Sequence, residues 1–271
     1  MISVTKWGTA YSLPFPVPLG IKQGGINSPD LFAIYFDGIT KLLREKKIGC
    51  HIFNLFLAII LFADDICLLA PTRSVLAEMI SAVSTYCTKY GLEFNPTKSK
   101  VLVFSKSKVD LDSFCPIYLA DKPIEYARSV KYLGTTILSD KGLIFSCTED
   151  LRKFYRASNA ILNTLKKPKE EVLMHLLYTN CVPILTYVCS TKKYSSKEMR
   201  DCNTALNDAI RKIFGFHRWE SVRHLREGFG YKSLYDIFAI ASRKFAISSS
   251  THHNSVVKQL QSHTDTIVNS Q

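Results

Sequence analysis

Ile59-Ile60-Leu61-Phe62-Ala63-Asp64-Asp65-Ile66-Cys67-Leu68-Leu69 places two adjacent carboxylates inside an apolar run that begins at Ile52-Phe53. A lone ionised carboxylate is costly to bury unless a partner or a metal compensates, so an Asp-Asp pair here calls for a reason. A transmembrane helix is a poor one: a span needs about 20 mostly apolar residues, and the uncharged run before Asp64 is shorter. β-Branched and large apolar residues on either side read instead as two buried strands with the pair near the bend. A plain surface turn and a divalent-metal site both fit that reading.

Composition narrows the partners. With 271 residues and 46% hydrophobic content the chain has material for a core, which argues against wholesale disorder. The net charge of +12 points to a polyanion, nucleic acid first and an anionic membrane surface second. Basic residues thicken after the midpoint: residues 141–245 hold 19 Lys/Arg against 10 Asp/Glu, a net of +9. Cysteines stand at 50, 67, 87, 115, 147, 181, 189 and 202 without a C-x-x-C pair. They read as small buried hydrophobes of a reducing compartment. Met1–Gly8 has no apolar signal-peptide core. The expectation is a cytoplasmic or nuclear protein, neither secreted nor anchored by a transmembrane helix.

Outward from the Asp pair, the chain reads as α+β. Residues 1–19 alternate imperfectly between strand and turn, broken by Pro14, Pro16 and Pro18. A glycine-bearing loop, Gly20-Ile21-Lys22-Gln23-Gly24-Gly25-Ile26-Asn27, precedes Ser28-Pro29-Asp30, which predicts a helix start with Ser28 as N-cap. Leu31, Phe32, Tyr35, Phe36, Ile39, Leu42 and Leu43 keep helical spacing to about Lys47, and Phe32, Tyr35 and Phe36 read as core. A second amphipathic helix is expected over 72–90, stopped by Gly91. A turn at Asn95-Pro96-Thr97-Lys98, a hairpin around Ala120-Asp121-Lys122 and a strand over 130–137 follow. Helices are expected at 146–166, 170–190 (kinked at Pro183), 197–214 and 231–248. The Ser-, Thr- and His-rich end reads as a frayed tail. These divisions give a mixed region 1–140, a helical region 141–248 and a disordered tail 249–271.

Taken in order, these motifs resemble the reverse transcriptase domain of non-LTR (LINE-type) retrotransposons. Gly20–Phe32 is similar to that family's loop-helix motif, and Phe62-Ala63-Asp64-Asp65 to its metal-binding hairpin, with Phe where other members carry Tyr. Gly91–Asn95 with Lys98 and Lys100, and Tyr132-Leu133-Gly134, are similar to the helix-turn-strand motif and the primer-supporting segment; the phrase Gly230–Tyr235 looks like the region after the palm. The resemblance implies a partial right-hand polymerase palm followed by a helical, thumb-like region. It implies DNA synthesis from dNTPs on an RNA template with a DNA primer, and Mg²⁺ or Mn²⁺ as cofactor. Asp64 would be the closer metal ligand and Asp65 the more distant. Lys98 would neutralise the triphosphate or act as an acid toward pyrophosphate. Gln23, Gly24, Gly25, Ser28, Pro29, Phe62 and Ala63 would line the nucleotide and template site, the two glycines letting backbone approach closely. Leu133 and Gly134 would support the primer end. Arg152, Lys153, Lys166, Lys167, Lys192 and Lys193 suit phosphate contacts along a duplex read by shape.

The family's two-ion chemistry also needs a third carboxylate on a strand ahead of the glycine loop. Residues 1–19 contain no Asp or Glu, and Asp30 and Asp37 sit on the motif helix. The expectation is therefore a truncated chain, without fingers and inactive alone. A non-catalytic nucleic-acid-binding remnant is the alternative function.

Overall fold

The computed structural model describes residues 2–17, 24–52, 54–107, 109–139, 143–165, 168–192 and 194–269. Its elements are helices and small antiparallel sheets, an α+β chain as expected. The first are β1 (Ile2–Ser3), β2 (Lys6–Trp7), β3 (Ala10–Tyr11), β4 (Phe15–Pro16), α1 (Ser28–Glu45), β5 (His51–Ile52) and β6 (Leu55–Phe56). Then come β7 (Ile59–Phe62), β8 (Asp65–Leu68), α2 (Arg73–Lys89), β9 (Lys100–Val101), β10 (Ile117–Leu119) and β11 (Lys122–Tyr126). The remainder is β12 (Ser129–Tyr132), β13 (Thr135–Ser139), β14 (Leu143–Ser146) and helices α3 (Thr148–Thr164), α4 (Glu170–Leu176), α5 (Val182–Thr186), α6 (Ser196–Phe214), α7 (Arg223–Gly228), α8 (Leu234–Ser250) and α9 (Ser255–Asn269). No described helix is long and apolar enough to cross a membrane.

The chain divides into two compact units, residues 1–99 with 115–125 and residues 100–114 with 126–271. The compositional shift near residue 140 therefore falls inside the second unit, not between the units.

In the first unit, α1 buries Phe36, Ile39 and Leu43 against Met79, Val83 and Cys87 of α2 and against Ala58. Phe32 stacks on Phe36 with ring centroids 4.4 Å apart, whereas Tyr35 turns outward. The core reading of that stripe thus holds for two of its three aromatics. Gly49, at φ +119°, is required: a Cβ there would lie 2.1 Å from the Ala58 Cβ. The helix starts at Ser28, so the N-cap is Asn27, one residue earlier than expected, and it makes no side-chain cap. Arg73 of α2 fastens the β10 segment by donating to the carbonyls of Cys115 and Pro116, each at 2.9 Å. That Cys115 is exposed, unlike the buried thiols expected.

In the second unit, β12, β13 and β14 form an antiparallel sheet in that order. The larger core lies among the helices: Phe154 of α3, Met174 of α4, Val182 and Leu185 of α5, Leu206 and Ile210 of α6, and Leu234 and Phe238 of α8. The expected kink at Pro183 takes the form of a single π-turn over Leu177–Cys181, in which the Val182 N–H donates to the Leu177 carbonyl five residues back. Proline lacks an N–H and its ring crowds the preceding turn, so the wider turn relieves the helix just before it. The tail is a correction. Residues 255–269 are helical, because Val256, Val257 and Leu260 give α9 a half-buried apolar side. Ser249 donates to Gln261 Oε1 at 3.0 Å, tying α8 to α9.

Candidate active site

Strands β7 and β8 pair as Ile59↔Leu68, Ile60↔Cys67, Leu61↔Ile66 and Phe62↔Asp65, leaving Ala63-Asp64 as a two-residue turn. Side chains alternate faces along a strand. Ile59, Leu61, Ile66 and Leu68 accordingly pack against the first unit's core. Ile60 and Phe62 point outward; Phe62 is 61% exposed. Asp65 shares that outer face through its pairing with Phe62, and Asp64 occupies the turn. Both carboxylates are exposed. This overturns the premise of a buried pair: the apolar run belongs to the inward face, while the acids stand at the tip, in solvent. Neither Asp has a hydrogen-bond or ion-pair partner among the described residues. Ala63 holds φ +50°, a left-handed conformation that disfavours a residue with a Cβ.

Magnesium is usually held by one or two carboxylates together with substrate phosphate oxygens. The Asp64–Asp65 tip fits that donor set. Among the described residues no group of three His, Cys, Asp or Glu side chains is arranged to hold a metal ion, so the tip offers two of the carboxylates a two-ion centre uses.

The other sequence-predicted residues of this unit sit on separate pieces. Gly24 has φ +80° with open space where a Cβ would be, and the Gly25 carbonyl accepts the Ser28 N–H at 3.2 Å, leading into Pro29 and α1. Gln23, together with residues 18–22, lies outside the described residues. Lys98 is exposed on a turn organised by Asn95, whose Oδ1 accepts from the Thr97 N–H, the Thr97 hydroxyl and the Lys98 N–H at 3.1, 2.6 and 3.3 Å.

In the second unit, Leu133-Gly134 is the two-residue turn of the β12–β13 hairpin, with φ +46° and +81°. Positive φ at both central positions suits the strand twist. Tyr187 lies against this turn; a Cβ on Gly134 would sit 3.1 Å from its ring. Arg152 and Lys153 are engaged with Glu149 at 3.7 Å and Asp150 at 3.1 Å. Lys166, Lys167 and Lys193 lie outside the described residues.

Lys192 is not at the surface. Its side chain is 4% exposed; Nζ donates to Glu198 Oε1 at 2.6 Å and lies 4.5 Å from the Tyr194 ring centre. Glu198 belongs to the capping box that starts α6, accepting from the Ser195 N–H and hydroxyl. Burial pushes the Glu198 carboxyl upward, but the bonds from Lys192 and Ser195 outweigh it and hold it at about 2. The Cys147 thiol also donates to Glu198, at 3.4 Å. A lysine so withdrawn from solvent and paired with Glu198 does not present its charge to a phosphate backbone, which corrects its expected role. Sequence reading also passed over the loop between α6 and α7, residues 215–222; its one signal was an aromatic and basic cluster behind Gly215.

Residues 8–137 match the family described as reverse transcriptase (RNA-dependent DNA polymerase). Among curated proteins the chain is 26% identical over 204 residues to a retrovirus-related Pol polyprotein from type-1 retrotransposable element R2 of Popillia japonica, covering 72% of this chain and 32% of that protein. The corresponding polyprotein of Nasonia vitripennis is 30% identical over 122 residues, 42% of this chain and 12% of its own length. An uncharacterised transposon-derived protein of Caenorhabditis elegans is 29% identical over 154 residues, 55% of this chain and 51% of its own length. The chain thus spans about a third or less of the Pol polyproteins it matches. Their names and the matched family agree with the motif order in this sequence: residues 8–137 are similar to a reverse transcriptase domain, and the chain is similar to Pol polyproteins of non-LTR retrotransposons.

Proposed function

We propose that residues 1–140 are palm of a right-hand polymerase, that the helices of 141–248 are thumb-like, and that their reaction is template-directed DNA synthesis on RNA from dNTPs. The observation that carries this reading is the Asp64–Asp65 pair, unpartnered among the described residues at an exposed turn whose flanking strands are anchored in a core. A tip built that way presents charge to a ligand at little conformational expense. Mg²⁺ or Mn²⁺ held there with triphosphate oxygens would neutralise charge on the reacting phosphate and orient it. Asp64 and Asp65 supply the oxygen ligands, and Lys98 faces solvent where a triphosphate or pyrophosphate can meet it. Gln23, Gly24, Gly25, Ser28, Pro29, Phe62 and Ala63 line the nucleotide and template site, and Leu133 and Gly134 support the primer end.

A second reading, nucleic-acid binding without catalysis, is favoured by the two-carboxylate count among the described residues. In that case the 271-residue chain binds template–primer and shows no metal-dependent extension. Primer extension on an RNA template with Mg²⁺ or Mn²⁺, run beside binding at several salt concentrations, separates the two. The expected result is binding whose affinity falls steeply with salt and extension at trace level. Robust extension abolished by Asp64→Asn would establish catalysis by this chain alone. Absence of any salt-dependent binding to template–primer would overturn both readings.

A further inference from the structure

The loop after α6 holds a tryptophan outward on a rigid mount. Gly215 ends the helix in the left-handed region at φ +67°, and the Phe216 N–H returns to the Arg211 carbonyl at 2.9 Å. Arg211 then clamps the far side of the loop by donating from Nε to the Glu220 carbonyl at 2.9 Å, itself steadied by Asp208 at 2.8 Å. The Glu220 carboxylate caps the His217 N–H, and its own N–H donates to the His217 carbonyl at 3.1 Å. Val222, 2% exposed, plugs the end of the loop into the helical core. On this frame the Trp219 indole lies parallel to the His217 ring, centroids 4.7 Å apart and planes 5° from each other, and is still 80% exposed. Among the described residues no packing contact accounts for holding an indole in water with one face already stacked.

The surroundings indicate what the other face receives. Residues 211–226 carry five Arg or Lys and one Glu, a net of +4. Arg218, next to the indole, is exposed and has no ion-pair or hydrogen-bond partner among the described residues. Flat aromatic surface beside free cationic side chains is the combination that binds unpaired nucleotides, bases on the ring and phosphates on the cations. A duplex base is already stacked and offers no such face.

We propose that the His217–Trp219 pair is a stacking platform for an unpaired nucleobase, with Arg218 taking the adjacent phosphate. The inference rests on the nucleic-acid reading above and assigns it a single-strand contact in the second unit. The test follows Trp219 fluorescence in a Trp7→Phe background, which removes the chain's other tryptophan. The probe is a non-self-complementary single-stranded RNA of roughly a dozen nucleotides, its DNA counterpart, and the blunt duplex. Saturable quenching by the single strands and not by the duplex is expected. Trp219→Ala should weaken single-strand binding roughly 5- to 150-fold and Trp219→Phe much less. Arg218→Ala should lower the salt slope by about 1. The melting temperature of Trp219→Ala should stay at the wild-type value, since the side chain is in solvent. Unchanged single-strand affinity in Trp219→Ala, or quenching by the duplex alone, would overturn the platform while leaving template–primer binding intact. Loss of self-association in Trp219→Ala with single-strand affinity unchanged would assign the loop to a protein contact and overturn it too. Absence of all nucleic-acid affinity would instead remove the broader reading beneath it.

Discussion

Asp64 and Asp65 at the β7–β8 tip, and Lys192 with Glu198 beside α6, are two charged clusters governed by opposite rules. The first stands in water with no partner among the described residues; in the second the carboxylate is largely withdrawn from water and engaged by an ammonium, a backbone N–H, a hydroxyl and a thiol. Charges that are satisfied internally are committed to holding the fold. Charges left open on a rigid mount are available to something outside it.

That contrast can be broken most forcefully at Lys192. Replacing it by Met strands the partly buried Glu198 carboxylate and is expected to destabilise the second unit by about 3 kcal/mol, read by denaturant unfolding near neutral pH. A loss below about 0.5 kcal/mol would place the pair with ordinary surface ion pairs.

Acid probes the same cluster more gently. Glu198 is held at about 2 against an ordinary value of 4.5, so its folded pKa is depressed. The stabilisation is present above pH 4.5 and is lost as pH falls from there toward 2. With 27% of the side chain still in solvent, about 2 kcal/mol should disappear over that window. A Glu198→Gln variant should show a shallower loss across it.

At the open cluster the effects shrink. Ala63→Gly should stabilise the hairpin by up to about 1 kcal/mol, because glycine tolerates the positive φ that alanine holds there. Asp64→Asn should change stability by less than about 0.5 kcal/mol, having no partner to lose. A stability cost above 1 kcal/mol in Asp64→Asn would mean that the tip is structural after all, and the comparison would collapse.

Much of the fold was legible because local rules decide it. Apolar alternation around Asp64 foretold two strands and a bend, and Asn95-Pro96 foretold the turn that carries Lys98. Gly91 marked the end of a helical pattern. The burial of the Asp pair was misread because an apolar run around a turn says nothing about which face each residue takes; the pairing register does. Lys192 was misread for a complementary reason. Its partner, Glu198, is placed by the Ser195 capping box and also accepts from the distant Cys147 thiol, an arrangement that the lysine's own neighbours in sequence do not encode. The α9 helix was hidden by a polar composition, since three half-buried apolar side chains suffice to dock it. The candidate site was legible as a set of motifs, while its openness emerged only from the hairpin geometry.

The π-turn at Leu177–Cys181 has a consequence for how this chain tolerates insertions and deletions. Each helical residue advances the face by about 100°. The wide turn takes up one residue more than an α-helical turn, so deleting one residue within it would restore ordinary helical bonding and leave Val182 and Leu185 facing the core, whereas a deletion elsewhere in α4 or α5 would swing them out by that angle. A one-residue change in length is therefore tolerated inside the turn and nowhere else in the pair. When retrotransposon sequences are aligned across it, a one-residue gap should fall inside 177–181 or nowhere in the α4–α5 pair.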